Sequence, residues 1–300
     1  MNVVVAGGTG FIGSSLVPLL RLGGHDVVVL TREPERAPVT PGVTWVRWDG
    51  VTQGDWAAHV RRADAVINLA GESIGGGRWT ASGKERIVAS RVNATRALVE
   101  SIRQGEKRPS LFVSSSAVGY YGPVESGEVT EDHAPGSGFL ADVCLRWEQE
   151  ALAVGELGPR VVLLRTGVVL GDKGGALERM LLPFRLYAGG PLGSGTQWFP
   201  WVHRDDVGEV ILFALDNAAL AGPVNVVAPE GVDMRAFCAA LGVALSRPSW
   251  LPVPAPVLRA VLGEMADMIL TGQRAVPAKL LSLGYRFRYP ALGAALTSVV

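Results

Sequence analysis

Val3-Val4-Val5-Ala6-Gly7-Gly8-Thr9-Gly10-Phe11-Ile12-Gly13 decides the reading of this chain. Four apolar residues run into a glycine cluster, and the helical pattern Ser14-Ser15-Leu16-Val17-Pro18-Leu19-Leu20 follows. An apolar run bounded by glycine reads as a buried strand, so the segment is strand, tight turn, helix. The turn satisfies G-x-G-x-x-G from Gly8 and also the wider G-x-x-G-x-x-G from Gly7. The physics is the same in either form. Gly7 and Gly8 take φ values that a Cβ forbids. Gly10 admits a pyrophosphate to the backbone, and Gly13 lets the helix pack on the strand. The free N–H groups around Thr9, Phe11, Ile12 and Gly13 then face the phosphates, helped by the helix dipole. Alone, such a pattern is weak evidence for a dinucleotide site. Its place between a strand and a helix, with a second strand soon after, is what supports it.

That second strand, Asp26 to Leu30, follows the Gly23-Gly24 helix stop and completes a βαβ unit. Its end faces the adenosine ribose, where sites that prefer NAD carry Asp or Glu. Here Thr31-Arg32 stands there, and a guanidinium suits a 2′-phosphate. NADP is therefore favoured over NAD, with Glu33 counting the other way. Val43 to Arg47 is a third strand ending in Trp48-Asp49, and Asp64 to Leu69 a fourth ending in Ala70-Gly71-Glu72. Ligands of doubly wound sheets bind outside the carboxyl ends of the strands. Leu69, Ala70 and Gly71 accordingly lie along the cofactor. A glycine-rich loop, Ser73 to Trp79, carries Arg78, and a long helix spans about Thr80 to Gln104.

Leu111-Phe112-Val113 is a short strand ending in Ser114-Ser115-Ser116, with Tyr120-Tyr121 close behind. Hydroxyls at that strand end sit where a nicotinamide belongs. Phe139 to Val154 reads as a helix, and Arg160 to Arg165 as a sixth strand. Strand and helix alternate to this point, the α/β signature. Beyond it lie a helix over Ala176 to Tyr187, with Pro183 inside, and a glycine-rich stretch leading to Gln197-Trp198-Phe199-Pro200-Trp201-Val202-His203. Those aromatics read equally as a mobile cover over a substrate or as a core strand. Asp205 and Asp206 open a helix, where carboxylates favour the dipole.

Composition narrows the class. Three hundred residues, 48% of them apolar, allow one large α/β domain with a smaller lobe. Basic and acidic residues number 28 each, which gives no electrostatic footprint for nucleic acid or an anionic membrane. The two cysteines, Cys144 and Cys238, form no metal or disulfide pattern. With no signal peptide and no apolar run of spanning length, the expected compartment is cytoplasmic.

Taken together, the chain resembles the extended short-chain dehydrogenase/reductases of the NAD-dependent epimerase/dehydratase superfamily. Gly7 to Gly13, Asn68 to Gly71, Asn93-Ala94-Thr95, Ser114 to Ser116 and His203 to Asp206 carry that resemblance. Leu69 to Glu72, Phe139 to Cys144, Trp147-Glu148, Met180 to Phe184 and Phe199 to Trp201 are similar to an atypical epimerase-like branch, that of bacterial YfcH. So is the tail from about Leu251, which resembles a small C-terminal domain of unassigned function. The resemblance implies a Rossmann-type doubly wound parallel sheet with a smaller C-terminal substrate lobe. The expected division is an NADP-binding domain over 1–230, with a lobe insertion at about 171–203, and a small domain over 231–300. It also implies NADP contacts from Glu72, Arg78 and Glu148, a small, sugar-like substrate, and a homodimer formed through two helices.

One departure is plain. The superfamily mechanism uses a Tyr four residues before a Lys, with a Ser on the substrate carbonyl. No Tyr-x-x-x-Lys occurs in this sequence. The pair falls on Phe139 and Val143 or on Leu140 and Cys144, neither of which supplies a phenol or an ammonium. The serine survives, at Ser114 or Ser115, and Tyr120 or Tyr121 is the expected substitute acid, with His203 limited to substrate contact. Two readings follow: an NADP(H)-dependent oxidoreductase or epimerase with a non-standard acid, and a non-catalytic NADP(H)-binding sensor.

Overall fold

The computed structural model describes residues 1–300. Its first strands are β1 (Asn2–Ala6), β2 (Asp26–Thr31), β3 (Val43–Arg47), β4 (Ala65–Asn68) and β5 (Leu111–Ala117). The rest are β6 (Glu128–Val129), β7 (Arg160–Thr166), β8 (Val168–Leu170), β9 (Trp201–His203), β10 (Gly222–Val226) and β11 (Arg274–Ala275). Helices in the first half are α1 (Gly13–Leu22), α2 (Ala57–Val60), α3 (Ala81–Gln104) and α4 (Phe139–Leu152). The second half holds α5 (Gly175–Arg185), α6 (Arg204–Asp216), α7 (Met234–Leu245) and α8 (Ala255–Leu262). Three short helices close the chain: α9 (Asp267–Leu270), α10 (Ala278–Ser282) and α11 (Leu292–Thr297).

Seven strands form one parallel sheet in the order β10-β7-β5-β4-β1-β2-β3. Valine-rich strands suit its centre because both faces are covered, and Val3, Val4 and Val5 are fully buried. One face packs Leu16, Val17 and Leu20 of α1 and Val207, Val210 and Ile211 of α6 against Val3, Val5, Ile67 and Val113. The other packs Ala94, Leu98 and Ile102 of α3 against Val4, Val66 and Phe112. Each such aliphatic side chain contributes about 1.5–3 kcal/mol on burial. Winding reverses between β1 and β4, which puts a crevice at the carboxyl ends of those two strands.

The aromatic stretch before α6 is a core strand rather than a cover. β9 pairs with β8 from Val168↔Trp201 to Leu170↔His203, and Phe199 and Trp201 are buried. They join a third core that combines Leu177, Leu181 and Phe184 of α5, Phe237 and Leu241 of α7, and Leu292 and Leu296 of α11. The 171–203 insertion and the C-terminal segment thus share one core. Farther along, Leu280 and Tyr285 enter the core under α1 and α6, and β11 pairs with β6.

His203 is buried and holds the start of α6. Its Nδ1 accepts the Asp205 N–H at 3.1 Å, its Nε2 lies 3.2 Å from Ser298 Oγ, and its ring stacks 3.9 Å from Tyr289. The expected substrate contact gives way to a helix cap. Asp206, fully buried, accepts the N–H groups of Arg288 and Tyr289, which fastens the tail to the same turn. Burial holds His203 below the ordinary imidazole value, with Asp205 opposing and Arg204 and Arg288 reinforcing the shift. A depressed histidine leaves stability intact above its unfolded pKa, about 6.5, and removes it as the pH falls below that value. His203→Asn keeps a cap acceptor without titrating. Thermal melts between pH 8 and pH 5.5 are expected to show a steep acid-side loss in the wild type and a flatter profile in this variant.

Candidate cofactor site and the replaced acid

The crevice is built around the first turn, where three of the four glycines are there for packing. Gly7 has φ +80°, and a Cβ on it would stand 2.8 Å from the Leu69 carbonyl. A Cβ on Gly8 would meet Val29 at 2.6 Å, and one on Gly13 would meet the Gly7 carbonyl oxygen at 2.4 Å. Gly8 keeps a negative φ, so close packing, not the left-handed conformation expected for it, requires its glycine. Gly10 differs. A Cβ there meets only the Gly7 oxygen, at 3.2 Å, and the residue is exposed. The N–H groups of Phe11, Ile12 and Gly13 donate to no acceptor, and no acidic residue lies in the first turn of α1. An open glycine beside free amides at a helix N-terminus is an anion cradle. Phe11 closes one side: glycines 171, 174 and 175 pack on its ring, and the Arg204 guanidinium lies 5.2 Å from it.

At the end of β2, Thr31 is buried and Arg32 exposed, with no ion pair on the Arg32 side chain. Glu33, the residue that counted against NADP, is paired with Arg36 at 3.0 Å. Trp48 is buried, 5.6 Å from Trp56, and its indole N–H has no acceptor. The Asp49 carboxylate accepts the Thr52 hydroxyl and the N–H groups of Val51 and Thr52, bonds that hold it below the ordinary carboxylate value. Leu69 donates its N–H to Ala6 and Ala70 to Asn68 Oδ1, so the β4 end is pinned beside the cradle. Beyond Gly71, the Glu72 carboxylate is exposed, 3.4 Å from Arg86. Arg78 points elsewhere: its guanidinium donates to the carbonyls of Val261, at 2.9 Å, and Ala260, the last turn of α8.

The helix that lacks Tyr and Lys has a polar core of another kind. Strand alternation turns Ser114 and Ser116 toward α3 and α4 with Phe112, and Ser115 to the opposite face with Val113. Ser116 Oγ donates to Glu148 Oε1 at 2.6 Å, and Arg165 donates through Nε to Oε1 and through a terminal nitrogen to Oε2, both at 2.9 Å. Glu148 and Arg165 are almost fully buried, and losing one partner of such a pair costs about 3–5 kcal/mol. A carboxylate offers about four acceptor positions. One remains on Oε2, which is what a ribose hydroxyl would need.

Arg165 also divides the two tyrosines. It donates to Tyr121 Oη at 3.0 Å, and that phenol donates to Asn225 Oδ1 at 2.7 Å. Burial pushes the Tyr121 phenol up to about 12, so the role of substitute acid expected for either tyrosine does not fit Tyr121. The Tyr120 ring lies flat against the guanidinium, 3.5 Å from its carbon, with the residue only half-buried. Cys144, one of the residues in the lysine position, is a buried thiol pushed up to about 11 by desolvation. Sequence reasoning missed Ser116 and Arg165. Period-two alternation along β5 was the available signal for the serine; for the arginine, charge at the end of an apolar strand was the only one.

A glycine turn bonded to two parallel strands, with an anion cradle at the switch point, defines a dinucleotide-binding Rossmann protein. The family model described as NAD dependent epimerase/dehydratase family matches residues 3–227, and that for a domain of unknown function, DUF1731, matches residues 253–299. The chain belongs to the NAD-dependent epimerase/dehydratase family. It is 43% identical to the epimerase family protein SDR39U1 homolog, chloroplastic, of Arabidopsis thaliana, over 100% of this chain and 87% of that one. It is 41% identical to the epimerase family protein YfhF of Bacillus subtilis, over 100% and 98%. The crystal structure of human epimerase family protein SDR39U1 with NADPH superposes with a TM-score of 0.88 at 36% identity, covering 100% of this chain and 99% of that one.

The two kinds of glycine separate experimentally. Gly10→Ala, whose Cβ meets one backbone oxygen at 3.2 Å, is expected to fold with a small drop in melting temperature and to lose at least tenfold in dinucleotide affinity, whereas Gly13→Ala, at 2.4 Å, is expected to melt well below the wild type. Calorimetry and cofactor titration read the two outcomes.

Proposed function

We propose that the chain binds NADP(H) and acts as an oxidoreductase or epimerase on a small, sugar-like substrate. The observation that carries the cofactor is the open cradle at Gly10, with Arg32 as the one unpaired cation at the end of β2. The NADPH in the human relative's structure supports the same choice. In this reading the Phe11, Ile12 and Gly13 amides hold the pyrophosphate, and Thr31 and Arg32 hold the 2′-phosphate. Trp48 and Asp49 border the adenine. Leu69, Ala70 and Gly71 flank the chain of the cofactor, Glu72 its outer side and Glu148 the ribose, whereas Arg78, bonded to the end of α8, is taken out of the contact set.

Bound there, the nicotinamide supplies a hydride donor or acceptor. Proton transfer to the substrate oxygen then falls to Tyr120, because Tyr121 is bonded to Asn225 and Arg165 and α4 offers no phenol. Of the two serines, Ser115, half-buried at the end of β5, positions the carbonyl; Ser114 is fully buried on the other face, and Ser116 locks Glu148. A cytoplasmic location and a homodimer belong to the same reading. The two cysteines are free and buried, as a reducing compartment allows. No helix is long and apolar enough to cross a membrane.

NADPH consumption against a panel of carbonyl compounds and nucleotide sugars tests the activity. Turnover in the wild type is expected to fall at least a hundredfold in Tyr120→Phe, from the loss of a general acid worth roughly 10²–10⁴ in rate, and about tenfold or more in Ser115→Ala. Tight NADPH binding with no turnover on any substrate would sink the enzyme reading and leave a binding protein. Arg32→Ala is expected to weaken NADPH about tenfold or more and NADH little; equal losses would show that Arg32 does not read the 2′-phosphate.

A further inference from the structure

The segment that ends β2 reads Arg32-Glu33-Pro34-Glu35-Arg36, so two carboxylates stand beside the arginine assigned to the 2′-phosphate. A carboxylate in this region favours a ribose 2′-hydroxyl and repels a phosphate. Neither acid is free. Glu33 Oε2 accepts from Arg36 at 3.0 Å, and Glu35 Oε2 from Arg47 at 2.7 Å. Arg47 comes from the next strand, in register with Thr31. Its other terminal nitrogen donates to the Arg32 carbonyl at 3.0 Å. One side chain therefore removes a carboxylate from the segment and holds the peptide of Arg32 in place. Glu35 keeps its charge at neutral pH: a hydrogen bond from its own backbone, with Arg47 and Arg36 beside it, holds its carboxyl below the ordinary value. Unpaired, it is a full negative charge three residues from Arg32.

We propose that Arg47 is a specificity-determining residue for the cofactor that acts without touching it, by masking Glu35 and bracing Arg32 so that the end of β2 presents net positive charge to an adenosine 2′-phosphate. The inference rests on the NADP(H) reading above. Exposed ion pairs of this kind add little to folding stability. Their effect is on the field at the ligand, where one uncompensated charge at short range in water changes affinity roughly threefold to tenfold.

The test measures Kd for NADPH and for NADH by cofactor fluorescence in the wild type, Arg47→Gln, Glu35→Gln and the double variant. Arg47 and Glu35 are exposed, so all four are expected to share one melting temperature. Arg47→Gln is expected to weaken NADPH threefold to tenfold with NADH within twofold, and adding Glu35→Gln to restore most of the NADPH affinity. Raising the salt from 20 to 300 mM is expected to shrink the difference. Failure of Glu35→Gln to rescue, or equal loss of both cofactors, would overturn the masking role while leaving the cofactor assignment standing. Wild-type protein that binds neither cofactor would remove both.

Discussion

Everything at the switch point depends on how closely the first turn approaches the end of β4. Gly7 lies against the Leu69 carbonyl and Gly13 against the backbone of Gly7 and Gly8, so α1 descends directly onto the sheet. A single Cβ at any of these positions would push the helix outward. That would move its free amides away from the crevice they point into. The carboxyl ends of β1 and β4 stay bonded through Leu69 N–H to Ala6, and the side-chain-free turn above them sets how closely the α1 dipole approaches the crevice. Phe11, packed under the 171–175 loop, carries the same constraint into the lobe.

A second polar centre lies on the other side of β5, against α4. There Arg165 and Glu148 form a buried pair, extended by Ser116 at one end and by Tyr121 and Asn225 at the other. Asn225 in turn donates to the carbonyls of Val129 and Val276. The network thus runs from the serine strand to the C-terminal segment with its side chains satisfied, which is the condition for burying charge at tolerable cost. It engages the phenol of Tyr121 and leaves that of Tyr120 without a hydrogen-bond partner.

The parallel sheet was legible because its signals are local: valine runs, glycine stops, and alternation with helices. Boundaries followed closely, as with the long helix, whose N-cap Thr80 accepts from the Gly83 N–H. The cofactor half of the site was legible for the same reason, since Gly7 to Gly13 and Thr31-Arg32 are contiguous stretches with a mechanism. The rest was hidden in pairings between distant segments. Nothing near Arg165 in the chain announces Glu148, and nothing near His203 announces Ser298 or Tyr289. Whether Trp198 to Trp201 covers a pocket or fills a core depends on α7 and α11, which lie far along the chain. Glu33 looked like an argument for NAD until its arginine partner could be seen.

The shared third core has a bearing on how such a chain is inherited. α11 and α7 are packed with α5 and β9, and Leu280 sits beneath the main sheet, so the stretch matching the domain of unknown function has no hydrophobic interior of its own. It cannot be traded between proteins as a detachable module. A gene lacking it would expose apolar surface of the 171–203 insertion and of α6, and would lose the partners of Asn225 and Arg78. The two matched regions therefore pack as one body, and a change of volume at the shared core in either has to be taken up by the other.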